Sequence, residues 1–136
     1  MIRKSIIWSI VCFGLITGCA ERAPHHGHQI VAIDTRLQLG KAYLAERNLS
    51  AAKYHFQKVL LAKPRHPEAH LGMALYEYYA GQPKAADQHY RMAMQYAAGN
   101  DTVIRHYAAF LCEQKRNEEA KKLVTGNNTS HYTCDK

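Results

Sequence analysis

From Ile33 to about Val124, small and apolar residues recur on two superimposed scales. Over short windows they fall three or four positions apart, the spacing of one face of an α-helix. Over longer distances the whole pattern returns after 34 residues. Ala52, Ala86 and Ala120 are in step, as are Phe56, Tyr90 and Val124, then Leu39, Met73 and Tyr107, and Gly40, Ala74 and Ala108. Each period holds two helical stretches separated by a polar or glycine-containing break. The chain therefore predicts paired helices written about three times.

A period of 34 residues with small residues at these phases is the mark of the tetratricopeptide (TPR) repeat, a helix–turn–helix unit that stacks into a solenoid. The expected fold is all-α, with repeats at 33–66, 67–100 and an incomplete 101–124. In the first repeat, helices are expected at about 34–46 and 51–62, with Arg47-Asn48 as the turn, Ser50 as an N-cap and Pro64 as a stop. In the second, Pro67 and Pro83 suit first-turn positions and Gly81 a C-terminal cap. Glu77 stands where an aromatic residue is usual, with Tyr76 beside it. In the third, Asp101 is an N-cap candidate, and the last helix is expected to be short, at 118–124. Thr125-Gly126-Asn127-Asn128 follows it, and residues 125–136 show no periodicity. Three repeats are about the minimum for a self-supporting stack. A short last helix makes its C-terminal end the weak one.

Ahead of the repeats the pattern changes. Arg3 and Lys4 precede an apolar run from Ser5 to Leu15, too short to span a bilayer and patterned as an export signal. The following Leu15-Ile16-Thr17-Gly18-Cys19 resembles the lipobox of bacterial lipoproteins. That resemblance implies a signal peptide at 1–18, cleavage before Cys19, and acyl chains, palmitate among them, on Cys19. Two or three chains hold a protein to a membrane where one does so only marginally. Ala20 in place of Asp implies sorting to the outer membrane. Residues 19–32, with Pro24, Gly27, His25, His26 and His28, read as a flexible tether.

Helix geometry puts the first helix of each repeat on the inner face of a TPR stack. The residues expected there as a partner-binding groove are Leu37 and Lys41, then Leu71, Leu75, Tyr78 and Tyr79, then Arg105. An apolar, aromatic row with cationic rims suits an extended or helical peptide carrying hydrophobic anchors. Leu71 and Leu75 read equally well as core. A tyrosine combines area with a polar handle, which makes Tyr78 and Tyr79 the strongest anchor candidates.

Composition narrows the function classes. The chain is 47% hydrophobic and 21% charged, which is globular. Its net charge of +7 is modest, and no run of five like charges appears, so nothing points to nucleic acid. No Ser/His/Asp set, carboxylate pair, phosphate loop or metal-ligand spacing is present, and the nine histidines scatter over different repeat phases. The sequence therefore implies no enzyme, no cofactor and no metal site.

With lipobox and repeats both placed, the chain resembles the type IV pilus biogenesis lipoproteins of the PilW/PilF type. The resemblance is carried by Arg36–Ala42 (RLQLGKA), His89-Tyr90-Arg91, Tyr107–Cys112 (YAAFLC) and Asn117–Ala120 (NEEA). It implies a pilotin: a lipid-anchored protein on the periplasmic face of the outer membrane whose partner is the outer-membrane secretin subunit or a peptide segment of it. Members of that family usually continue through about six repeats, so a three-repeat chain would be a C-terminally shortened form. A general cell-envelope interaction scaffold without a pilus role shares every feature visible in the residues.

Four cysteines are present. Cys12 falls in the expected leader. In an oxidising periplasm Cys112 and Cys134 are candidates for a disulfide tying the tail over the last repeat, in place of a cap. Cys112 as a small packing residue with Cys134 free is the other reading.

Overall fold

The computed structural model describes residues 25–127 and Cys134. The expected leader, Cys19, residues 19–24 of the tether and the rest of the tail lie outside the described residues. Six α-helices follow one another: α1 (His25–Ala45), α2 (Leu49–Ala62), α3 (Pro67–Tyr79), α4 (Pro83–Tyr96), α5 (Asp101–Glu113) and α6 (Asn117–Gly126). There is no strand among the described residues. Successive helices pack as hairpins, α1 on α2, α3 on α4 and α5 on α6, and each hairpin packs on the next. This is the all-α TPR solenoid that the period of 34 predicts.

Three identical turns impose the repeat. Arg47, Gly81 and Lys115, spaced 34 apart, all take positive φ, at 61°, 74° and 60°. At each, the residue's N–H bonds back to the carbonyl of Leu44, Tyr78 or Cys112. The N–H of the next residue reaches the carbonyl of Tyr43, Glu77 or Leu111, each at 2.8 Å. This pair of bonds satisfies carbonyls that a helix end otherwise leaves without partners. The chain then reverses into the second helix, starting two residues later in each repeat. Glycine meets the left-handed conformation freely, but only the second turn uses it.

The in-step small residues mark where helices touch. Ala52, Ala86 and Ala120 are buried, as are Ala74 and Ala108. Phe56 and Tyr90 are fully buried, and Val124 is buried at the same phase of the last repeat. The Phe56 ring fills the space between Gly40 of α1 and Gly72 of α3. Met73 and Tyr107 pack against the preceding repeat, Tyr107 stacking on Tyr90 with centroids 5.3 Å apart. Leu39, at the same phase, is 39% exposed, because among the described residues no repeat precedes the first to cover it. The core divides into one cluster centred on α1 and α2 and a larger one spanning α3 to α6, with Leu75 touching both.

Several element boundaries differ from expectation. Residues 25–32, expected as tether, form the first two turns of α1. After Pro24 only Gly27 opposes helix there. One glycine costs about 1 kcal/mol relative to alanine, too little to stop a helix already nucleated by packed turns. The N-caps are Asn48 and Asn100, whose side chains accept from the N–H groups of Ala51 and Val103; Ser50 instead donates to Asn48. The last helix runs to Gly126 rather than ending at Val124.

Candidate partner-binding face

The face built from α1, α3 and α5 brings together part of the expected groove. Leu37 and Leu71 are not available on it. They are 6% and 9% exposed and belong to the two core clusters, so the expected apolar row is corrected at both positions. The reason lies in the packing: α3 is a central helix, and neighbours on both sides cover the residues that an isolated amphipathic helix would show. Leu75 is half-buried between the clusters. Lys41 is exposed on α1.

The two tyrosines form the centre of what remains. Tyr78 and Tyr79 lie with ring centroids 5.3 Å apart, tilted by 52°. Tyr78 also meets Phe110 of α5 edge to face at 6.1 Å, an arrangement favoured by the ring quadrupoles. Its hydroxyl donates to the Glu113 carboxylate, and that hydrogen bond, helped by burial, holds the phenol above its ordinary range. Tyr79 is 38% exposed, with the Arg47 guanidinium 4.2 Å above its ring centroid. Arg105 pairs with Asp101 at 2.9 Å across one helical turn. Both partners are exposed, so the pair contributes at most about 1 kcal/mol and yields readily to a competing anion. Chemically this is a surface for a peptide with an aromatic or aliphatic anchor: a ring platform between an arginine on one side and a carboxylate on the other.

Arg47 and Glu113 complete the platform, and sequence reasoning did not single them out. Arg47 read only as a turn residue. Glu113 fell in the inner-face row, and its phase, shared with Tyr79, was the available signal.

A second polar cluster holds the face in place. Asp87 of α4 accepts from Arg91 at 2.8 Å, Tyr107 at 2.9 Å and Arg116 at 2.7 Å. Arg116 also grips Glu119 through two nitrogens, at 2.7 and 2.6 Å. Burial works to raise the Asp87 pKa, but the three donors outweigh it and hold the carboxyl below its ordinary value. Burial and the same Asp87 bond push Tyr107 up to about 12. The cluster joins the second repeat to the turn of the third, fixing α5 and hence Glu113 relative to Tyr78.

At the far end, Cys112 of α5 and Cys134 approach to bonding distance between their sulfurs, with Cα atoms 5.5 Å apart. Both pack on the larger core cluster.

No family model matches the chain. Among curated proteins, it is similar to the type IV pilus assembly protein PilF of Pseudomonas aeruginosa. The identity is 39% over 102 residues, covering 74% of this chain and 40% of PilF. It is also 27% identical over 115 residues to an uncharacterized protein of Haemophilus influenzae, covering 84% of this chain and 64% of that one. A solved structure from the functional characterization of Pseudomonas aeruginosa PilF superposes with a TM-score of 0.72 at 34% identity, over 76% of this chain and 46% of that one. The chain thus spans between about two-fifths and two-thirds of the length of the relatives it matches.

Proposed function

We propose that this chain takes part in type IV pilus assembly as a lipid-anchored TPR adaptor, held through Cys19 to the periplasmic face of the outer membrane, where it assists assembly of the secretin. The observation that carries this reading is the 39% identity to PilF over 102 residues, which includes most of the repeat array. The likeness of fold to the solved PilF structure supports it. The lipobox-like Leu15–Cys19 supports the anchor. The ring platform of Tyr78 and Tyr79 supplies the surface on which a segment of the secretin subunit would seat.

A non-catalytic role suits this arrangement. The tyrosines, Arg47 and Glu113 are paired with one another in a way that orients rings and charges for contact. The alternative, a general envelope scaffold, draws on the 40% coverage of PilF, since whatever the remainder of PilF contributes is not matched here.

Affinity-tagged chain should retain secretin from detergent-solubilised outer membranes. Tyr79→Ser, at a half-exposed position outside the core, should lose most of it. Retention unchanged in Tyr79→Ser would remove the platform from the proposal, and no secretin with the native chain would favour the scaffold.

A further inference from the structure

We infer that the outward face of α2, with the α2–α3 turn, is a docking surface for an anionic phospholipid membrane. Residues 49–67 carry Lys53, Lys58, Lys63 and Arg65 and no Asp or Glu. Among the described helices α2 alone has no acidic residue. In a chain whose basic residues look scattered when read linearly, the fold collects four of them on one element.

The apolar residues of that face are exposed against the usual rule. Leu61 is 76% exposed and Tyr54 52%. At about 100° per residue, Tyr54, Lys58 and Leu61 lie within about 60° of one another around the helix. Phe56, Val59 and Ala52 face the other way, into the core. The Lys58 ammonium sits 5.5 Å from the centroid of the Tyr54 ring, leaving no carboxylate to neutralise it. Lys63, Arg65 and His66 continue the basic surface around a cleft of about 440 Å³ at the turn. Aliphatic and aromatic tips flanked by Lys and Arg are what an interfacial helix presents to anionic headgroups.

The position of the face agrees. Gly40 lies against Phe56, so α1 and α2 run antiparallel. The C-terminal end of α2, with Leu61, Lys63 and Arg65, is therefore beside the N-terminal half of α1, where Val31 is 65% exposed. The chain enters the array from that end. This positional point rests on the anchoring through Cys19 proposed above; the charge and exposure of α2 do not. An anchored array seated on α2 leaves the face of Tyr78 and Tyr79, on α3, clear of the bilayer.

The test is lysine acetylation footprinting of the full chain isolated from cells and mixed with vesicles of phosphatidylcholine, with or without phosphatidylglycerol, and flotation of the same samples. Lys58 and Lys63 should react several-fold more slowly on phosphatidylglycerol vesicles than on phosphatidylcholine ones, while Lys84 and Lys121 on other helices keep their rates. High salt should abolish the difference. Each basic residue near an anionic surface contributes roughly fivefold in partitioning. The exposed double variant Lys58→Glu with Arg65→Glu should therefore lower the docked population roughly tenfold or more and restore the reactivity of Lys63. Flotation with both vesicle types together with unprotected Lys58 and Lys63 would leave the anchor standing and overturn the docking. Flotation only with phosphatidylglycerol, with both lysines protected, would support the docking without the anchor. Flotation with neither, or equal protection on neutral vesicles, would overturn the docking.

Discussion

The ring of Phe56 occupies the place where a β-carbon on Gly72 would stand. It also lies so close to Gly40 that a β-carbon there would come within 2.6 Å of it. Phe56 is fully buried, so the ring has nowhere to go. Gly72→Ala should therefore destabilise the array by about 1–3 kcal/mol, the range for overpacking a filled core. Combined with Phe56→Leu, it should cost less than the two single changes together, since both act on one contact. Urea denaturation of the four chains measures this; strict additivity would show that Phe56 and Gly72 do not share the space.

The repeated positive-φ turns give a graded prediction. Lys115 pays a left-handed penalty that Gly81 avoids. Lys115→Gly should stabilise the protein by about 0.5–1 kcal/mol, and Gly81→Ala should destabilise it by about 1 kcal/mol. Arg47→Gly should gain less than Lys115→Gly, because it also removes the guanidinium from above Tyr79. Thermal or chemical unfolding in matched buffers reads all three.

Glu77 is buried, and its Oε2 has no hydrogen-bond partner among the described residues. It stands at the phase held by Tyr43 and Leu111 in the other repeats. Replacing an unsatisfied buried carboxylate with an apolar side chain of similar volume removes a desolvation penalty of about 1–3 kcal/mol. Glu77→Leu should raise the unfolding midpoint without altering the helical signal. A lowered midpoint would mean that the carboxylate has a structural partner.

Stability should fall with pH in two steps. Pro64 O can only accept, so His70 Nε2 donates to it at 2.8 Å, and His70 Nδ1 is left to accept from His89 Nδ1–H at 3.1 Å. Burial, and then the neighbouring His70, hold His89 below the ordinary 6.5. The unfolded chain therefore takes up its proton first. The stability carried by neutral His89 is complete above 6.5 and is lost as pH falls through the depressed folded value. Asp87 is likewise depressed, so its contribution persists above 3.8 and disappears below it, as the folded carboxyl protonates. His89→Gln keeps a donor that does not titrate and should flatten the upper step only. Denaturation midpoints across the acid range test both steps.

The approach of Cys134 to Cys112 closes a loop of 22 residues, for which a disulfide would contribute on the order of 3 kcal/mol in the loop-entropy model. We expect a bond in protein from the periplasm, with the peptides of Cys112 and Cys134 linked in a non-reducing map. Reduction should speed amide exchange in α6 more than in α3, since α6 packs on one side only. An unlinked Cys134 in oxidised protein would contradict this.

The fold was legible because it is written in a period. Ala52, Ala86 and Ala120 announce three helix contacts by position alone, and all three are buried. The face was less legible. Leu37 and Leu71 carry the right phase for a groove but lie in the core, because phase gives direction around a helix and not how many neighbours cover that side. Arg47 reaches Tyr79 across 32 residues, and Tyr78 reaches Glu113 across 35. Neither contact follows from local spacing. Helix α1 ran further than expected because histidines and a glycine without periodicity resemble a linker, while a packed helix propagates through them at little cost.

The most direct test of the proposed role in pilus assembly is the amount of heat-resistant secretin multimer in outer membranes after deletion of the gene, beside a Cys19→Ala strain. Loss of multimer in both strains is the expected result and would establish an anchored assembly factor. Normal multimer in the deletion strain would contradict the proposal and leave the likeness to PilF as a likeness of fold and sequence alone.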